Sequence, residues 1–213
     1  MRLISIMYLL MLLFSLISGV YCVCSGDGKQ SIPIGLSKNN TDAVKGILAA
    51  GVLLSHLVGH TSYHLPLFSF KVLGCIGVGC FFFLSGYGLI KASMKEKFYE
   101  GYLKRHTSKL LLPFLVMFII WVIIFQVLFK EPLSNLLHSF AVGAPVSNSW
   151  YVFASLYCYF LFWEGRNQSF WKRQCIVLVG LIIWILIFAV VVDWPDWWYK
   201  TIACFYIGII VSA

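Results

Sequence analysis

The amino-acid sequence predicts an all-α protein that crosses a membrane several times, as a polytopic transmembrane helical bundle. Of its 213 residues, 61% are hydrophobic and only 11% are charged, too few charged groups to cover a surface in contact with water. Several charge-free stretches contain about 20 residues, the length at which a helix crosses a ~30 Å hydrocarbon core. These observations exclude a soluble enzyme, a disordered protein and a small secreted module held by disulfides.

About six or seven hydrophobic segments follow one another along the chain. The stretch 150–163 is short but can extend backwards past Ser149, and the last stretch stops with the chain. We therefore divide the sequence into an N-terminal hydrophobic segment (1–24), a polar linker (25–40) and an incomplete transmembrane domain (41–213). The charge-free stretches are residues 3–26, 47–70, 72–90, 110–129, 150–163, 174–192 and 201–213.

The charged residues set the predicted orientation in the membrane. The chain has 16 Lys and Arg against 8 Asp and Glu, a net charge of +8. The basic residues cluster between apolar stretches, which is typical of a multi-pass membrane protein and argues against a nucleic-acid-binding surface. The loop 91–109 is the most basic, so we expect it on the cytoplasmic side. The protein itself is expected in a membrane, which is the plasma membrane if the source is prokaryotic. Alternation of the spans then also places the basic residues of 166–173 inside.

Residues 3–20 fit two interpretations. Arg2 before an apolar run, with the small residues Ser18 and Gly19 near the end of that run, is typical of a secretory signal peptide. A signal peptide would place the loop 91–109 outside, against the largest block of positive charge. We therefore interpret residues 3–20 as an extra span, with a signal peptide as the alternative.

Lys45 and His56 are the first pair of residues that indicate chemistry. They are eleven positions apart, close to three turns of a helix, which predicts that both lie on one helix face about 16 Å apart. An ionisable side chain at membrane depth indicates function, because its burial costs a few kcal/mol. A hydrogen bond from His56 to a neighbouring helix is the structural alternative.

His60 and His64 extend this face to a stripe of three imidazoles, at four-residue spacing. A metal or haem site is one interpretation of such a stripe, and a proton path in a transporter or channel-like protein is another. Zinc needs a third or fourth ligand from a second element, and the 7 cysteines include no CxxC pair. We therefore predict no metal site.

Two further stretches have both a structural and a functional interpretation. Residues 74–88 are rich in glycine, and small residues in membrane helices usually let two backbones pack closely. Residues 102–113 carry Arg105, His106 and Lys109 at the start of the third span. These basic groups could contact lipid phosphates or hold a phosphorylated donor at the cytoplasmic mouth.

Together and in this order, these features resemble the acyltransferase 3 family of integral membrane acyltransferases. In that family the first span begins with a basic residue and glycine and has a histidine eleven positions on, as Lys45, Gly46 and His56 do here. The second span ends in an FFxLSGY stretch, matched by residues 81–87, and a basic stretch leads into a third span marked by proline, here Pro113. Weaker landmarks follow at residues 149–151, 198–199 and 204–208.

The resemblance implies transfer of an acyl group, often acetyl, from acyl-CoA to a hydroxyl on a carbohydrate or a lipid-linked acceptor. It implies that His56 is catalytic and that Lys45, Arg105, His106 and Lys109 bind the acyl-CoA, with no permanently bound cofactor. Many members have arginine where Lys45 stands. The family's usual Arg-x-x-Arg register here holds His106 and Lys109, which lack bidentate arginine geometry.

Two alternatives to an active acyltransferase stay open at this stage. Members of the family have more spans than this chain, so an inactive fragment of such an enzyme fits the same motifs. A transporter or channel-like protein using the stripe of His56, His60 and His64 is the second alternative. Transporters usually have carboxylates near the middle of the membrane, whereas the acidic residues here fall in loops or at interfaces.

Overall fold

The computed structural model describes residues 38–59, 68–130, 132–135, 150–193 and 195–212. These residues contain no strand, and the predicted all-α fold is confirmed. We number the main helices in chain order. They are α1 (Lys38–Gly59), α2 (Phe68–Ser93), α3 (Tyr102–Phe129), α4 (Trp150–Glu164), α5 (Phe170–Leu186) and α6 (Ala203–Val211).

Three stretches of the described helices are long and apolar enough to cross a membrane: Leu73–Ser93, Tyr102–Leu128 and Phe170–Val191. They correspond to the predicted spans 72–90, 110–129 and 174–192. Helix α4 has 15 residues, which at 1.5 Å per residue is shorter than the ~30 Å of a hydrocarbon core. The remaining predicted spans, and therefore the full number of spans, stay predictions.

Several helices extend beyond the charge-free stretches of the sequence. Helix α3 begins at Tyr102 and includes the basic residues that precede the predicted span 110–129. Charges limit what can enter a bilayer, but Lys and Arg are good helix formers, so the helix continues into the polar region. Helix α1 likewise begins at Lys38, within the predicted linker 25–40; the division of the sequence into these segments stays a prediction.

The chain divides into two compact units, Met1–Ser85 and Gly86–Ala213. In the first unit, α1 packs against α2 through glycines. A β-carbon at Gly77 would lie 2.7 Å from Val52 Cγ2 and 3.2 Å from the Leu48 carbonyl oxygen, and one at Gly74 would lie 2.8 Å from Ser55 Cβ. The expectation that these glycines let helices approach closely is therefore confirmed.

In the second unit, α4, α5 and α6 contribute most of the buried apolar side chains. Helix α3 packs beside α4, with Phe114 and Phe153 in an edge-on ring contact at 5.9 Å. Helix α4 packs on α5, where the Tyr157 hydroxyl donates to the Gly180 carbonyl oxygen at 2.9 Å. Among the described residues of this unit, the apolar side chains with 0% exposure are Ala154, Cys158, Phe162, Val177, Ile202 and Phe205.

Candidate functional site

Lys45 and His56 lie in the same continuous helix, α1, as the spacing predicted. The backbone is helical at every position between them, so the eleven-residue separation brings them to nearly the same face, about 16 Å apart. Both residues are partly buried. Helix α1 thus carries a cation near its start and an imidazole near its end, on one side.

Lys45 forms an ion pair with Asp42, one turn earlier, at 3.1 Å. The two side chains are 44% and 47% exposed. An exposed pair of this kind contributes about 1 kcal/mol or less. The ammonium group can therefore leave Asp42 at little cost if a phosphate becomes available.

His56 follows Ser55, which lies at the close contact of α1 with Gly74 on α2. The backbone around the imidazole is therefore fixed by helix packing. His60 and His64, the other two members of the predicted stripe, lie outside the described residues. Within the described ranges, no group of three His, Cys, Asp or Glu side chains is placed to hold a metal ion.

Arg105 contacts the connection between α2 and α3. Its Nη2 donates to the Phe98 carbonyl oxygen at 2.6 Å and its Nη1 to the Glu100 carbonyl oxygen at 3.1 Å. These bonds tie the first turn of α3 to the preceding loop, where Gly101 adopts a left-handed backbone with φ 61°. Arg105 therefore has a structural role in addition to the donor-binding role predicted for it.

His106 lies among aromatic rings. The centroid of its imidazole is 4.4 Å from that of Tyr102, 5.1 Å from that of Tyr159 and 6.3 Å from that of Phe98. Lys109, one turn further along α3, is exposed. Of the two residues that occupy the family's usual arginine positions, Lys109 is thus the more accessible to a ligand.

The five predicted site residues fall into two groups. Lys45 and His56 belong to the unit Met1–Ser85, whereas Arg105, His106 and Lys109 belong to the unit Gly86–Ala213. Within its own unit, each group lies on one helix. Their roles in catalysis and donor binding stay predictions.

Two arginines that the sequence indicated only as markers of orientation lie together at a pocket. Arg166 and Arg173, with Tyr99 and Phe170, line an open pocket of about 450 Å³. The Arg173 Nη1 donates to the Tyr99 hydroxyl at 2.9 Å, which joins the α2–α3 loop to the start of α5. The predicted topology expects these loops on the same side of the membrane. A signal for the pocket was present in the sequence, as two arginines flanking Phe170 just before an apolar run.

Landmarks of the family resemblance that are far apart in the sequence meet in the structure. A β-carbon at Gly86, in the FFxLSGY stretch, would collide with the Phe205 carbonyl oxygen of α6. The rings of Trp150 and Trp198, from the two tryptophan landmarks, lie 6.4 Å apart. These motif residues thus lie at contacts between segments that are far apart in the sequence.

Comparison with known proteins finds one matching family, and the match begins at residue 38. A family model described as an acyltransferase domain matches residues 38–213, which cover every described helix. No curated protein matches the chain, and no solved structure matches it.

Proposed function

The chain belongs to the acyltransferase 3 family of membrane acyltransferases, and from this membership we propose its donor, acceptor and catalytic residue. The donor is an acyl-CoA, with acetyl as the first candidate for the acyl group. The acceptor is a hydroxyl on a carbohydrate or a lipid-linked molecule. The protein works as a multi-pass membrane enzyme that receives its donor from the cytoplasmic side, the plasma membrane being its location if the source is prokaryotic.

The observation that carries this proposal is the placement of Lys45 and His56 on one face of α1 within the matched range 38–213. A cation and an imidazole about 16 Å apart suit a donor that is itself long. The phosphates of a coenzyme A thioester lie far from its reactive sulfur. A single helix face can therefore hold the phosphates at one end and reach the thioester at the other.

The reaction needs a base at the thioester. The acceptor oxygen attacks the carbonyl carbon, a C–O bond forms and the C–S bond breaks. The hydroxyl proton passes to His56 and then to the departing coenzyme A thiolate. A neutral imidazole suits this task because its ordinary pKa lies close to the working pH.

The phosphates of the donor need cations that can be reached from water. Lys45 can exchange its exposed partner Asp42 for a phosphate, and Lys109 is exposed. Arg105 uses two of its N–H groups on backbone carbonyls, and its fork has five in all, so donors remain for a phosphate oxygen. His106, enclosed by rings, adds one edge of the imidazole at most.

The test is label transfer in membranes that contain the protein. Labelled acetyl-CoA is added, and label is measured in carbohydrate and lipid fractions. We expect transfer with the unaltered chain and almost none with His56→Gln. His60→Gln is the matched control, since it changes a second histidine of the same stripe.

Transfer that survives His56→Gln would show that His56 is not the base. Equal loss of transfer in both histidine variants would contradict the single-base mechanism and favour a role for the whole stripe. No transfer from any acyl-CoA by the unaltered chain would contradict the proposed activity.

A further inference from the structure

The pocket lined by Arg166 and Arg173 has the composition of an anion-binding site. Ile90 and Met94 form its apolar side, and Tyr99 and Phe170 contribute aromatic rings. Two guanidinium groups therefore lie against an open cavity of about 450 Å³ with mixed walls.

Within the ranges that the structure describes, no carboxylate forms an ion pair with Arg166 or Arg173. Arg173 is held by the Tyr99 hydroxyl and by the faces of Phe162 and Phe170, whose centroids are 5.2 and 5.9 Å from its Cζ. Its Nε is buried and has no hydrogen-bond partner among the described residues. A buried N–H without a partner costs about 1–3 kcal/mol, so the guanidinium group lacks one acceptor among the described residues.

The backbone is arranged so that Arg173 can reach this position. A β-carbon at Gly165 would lie 2.5 Å from Arg173 Cγ, so only glycine leaves room for the arginine stem. Arg166 stacks on Trp163, with its Cζ 3.6 Å from the ring centroid, and donates to the Trp163 carbonyl oxygen at 3.2 Å. Both guanidinium groups are thus oriented by their surroundings before any ligand arrives, which reduces the entropy lost on binding.

We propose that this pocket binds a phosphate group, with Arg166 and Arg173 as its donors. Arginine is the side chain best suited to phosphate, because its planar fork can give two parallel charge-assisted hydrogen bonds. The phosphate belongs either to a nucleotide, whose base would contact the aromatic wall, or to the headgroup of an anionic lipid. The proposal concerns binding alone, so it can be tested whether or not the chain transfers acyl groups.

The experiment measures binding to the full chain in nanodiscs. Adenosine 3′,5′-bisphosphate and inorganic pyrophosphate are titrated into nanodiscs of phosphatidylcholine. In a second arm, enrichment of phosphatidylglycerol around the protein is measured in mixed nanodiscs. The variants are Arg166→Gln, which removes the hydrogen bond and the ring contact that Arg166 makes with Trp163, and Arg173→Lys, which keeps the charge but loses Nε. Lys172→Gln removes a neighbouring exposed charge outside the pocket and is the matched control.

We expect each arginine variant to weaken binding about tenfold, the loss that one charge-assisted hydrogen bond implies, whereas Lys172→Gln changes it little. If the arginine variants weaken the binding of the soluble phosphates, the ligand is a soluble phosphate compound. If they reduce only the enrichment of phosphatidylglycerol, the ligand is a lipid headgroup. If Arg166→Gln behaves like Lys172→Gln in both arms, the proposal is wrong. Thermal unfolding of each variant shows whether it is folded, and Arg166→Gln decides the matter if Arg173→Lys does not fold.

Discussion

Helices α2 and α3 both contain stretches that can cross a membrane, but they use their apolar surfaces in opposite ways. In α2, Leu73–Ser93 has a mean hydropathy of 1.9 and 44% of its most apolar window is buried within the protein. In α3, Tyr102–Leu128 has a higher mean hydropathy, 2.8, and none of the corresponding window is buried. The more hydrophobic helix is thus the less packed one, because lipid tails accept large apolar side chains as well as a protein core does.

The two helices differ in the residues that allow packing. Helix α2 has glycines at its contacts, among them Gly77 and Gly86, where a β-carbon would meet a neighbouring helix. Helix α3 contains no glycine, and large side chains such as Ile119 and Ile123 are more than half exposed. In this chain, hydropathy indicates what can enter the membrane, and small residues indicate where helices meet.

The largest effect is expected at Gly86. Gly86→Ala would place a methyl group against the Phe205 carbonyl oxygen, a backbone atom that cannot rotate away, so α6 must shift. We expect a loss of about 3 kcal/mol in the free energy of unfolding, the upper part of the usual range for overpacking. SDS-induced unfolding in mixed micelles measures it.

Gly88→Ala is the matched control, two residues along the same helix. Among the described residues, no atom of another part of the chain lies within 4 Å of a β-carbon there, and alanine favours a helix over glycine. We expect no loss of stability. Equal destabilisation by the two changes would contradict the packing assigned to α2.

A smaller loss in the free energy of unfolding is expected when an isoleucine is shortened, and its size should depend on whether the residue is buried or exposed. Ile209 on α6 is 1% exposed and Ile123 on α3 is 54% exposed. Ile209→Ala leaves a cavity that lipid cannot fill, and we expect a loss of about 2 kcal/mol. For Ile123→Ala, where lipid closes the gap, we expect less than about 0.5 kcal/mol. The same unfolding measurement checks both, and a larger loss at Ile123 would show that this face of α3 is covered by protein.

A loss of stability smaller than that at Ile209 is expected from one hydrogen bond at the carboxyl end of α5. The Trp184 indole donates to the Trp198 carbonyl oxygen at 3.0 Å, so Trp184→Phe should lower the free energy of unfolding by about 1 kcal/mol. Trp171→Phe is the control, since Trp171 is 75% exposed. If both variants unfold alike, this bond does not contribute to stability.

Much of the fold could be predicted from the sequence, because charge-free length and helix formation are local properties. The stretches of α2, α3 and α5 that are long and apolar enough to cross a membrane were predicted within a few residues at their apolar ends. The polar ends of these helices were not predicted, because α3 already begins at Tyr102 and includes the basic residues that follow it. The π-helical turn Ile187–Val191 that follows α5 was not predicted either.

The candidate site was predictable only in part, for the same reason. The spacing of Lys45 and His56 depends on one helix and could be predicted. The bonds of Arg105 to loop carbonyls, and the meeting of Arg173 with Tyr99, depend on how the chain turns between helices. The sequence shows the two arginines on either side of Phe170, but only the structure shows that Arg166 and Arg173 line one pocket with Tyr99.

The central claim is that His56 acts on the reacting atoms while Lys45 only holds the donor, and steady-state kinetics with varied acetyl-CoA tests it most directly. His56→Gln should lower kcat about 100-fold or more, as loss of a general base does, with little change in KM for the donor. Lys45→Gln should raise that KM about tenfold and leave kcat nearly unchanged. The reverse assignment, or a fall in kcat alone for both variants, would contradict the account.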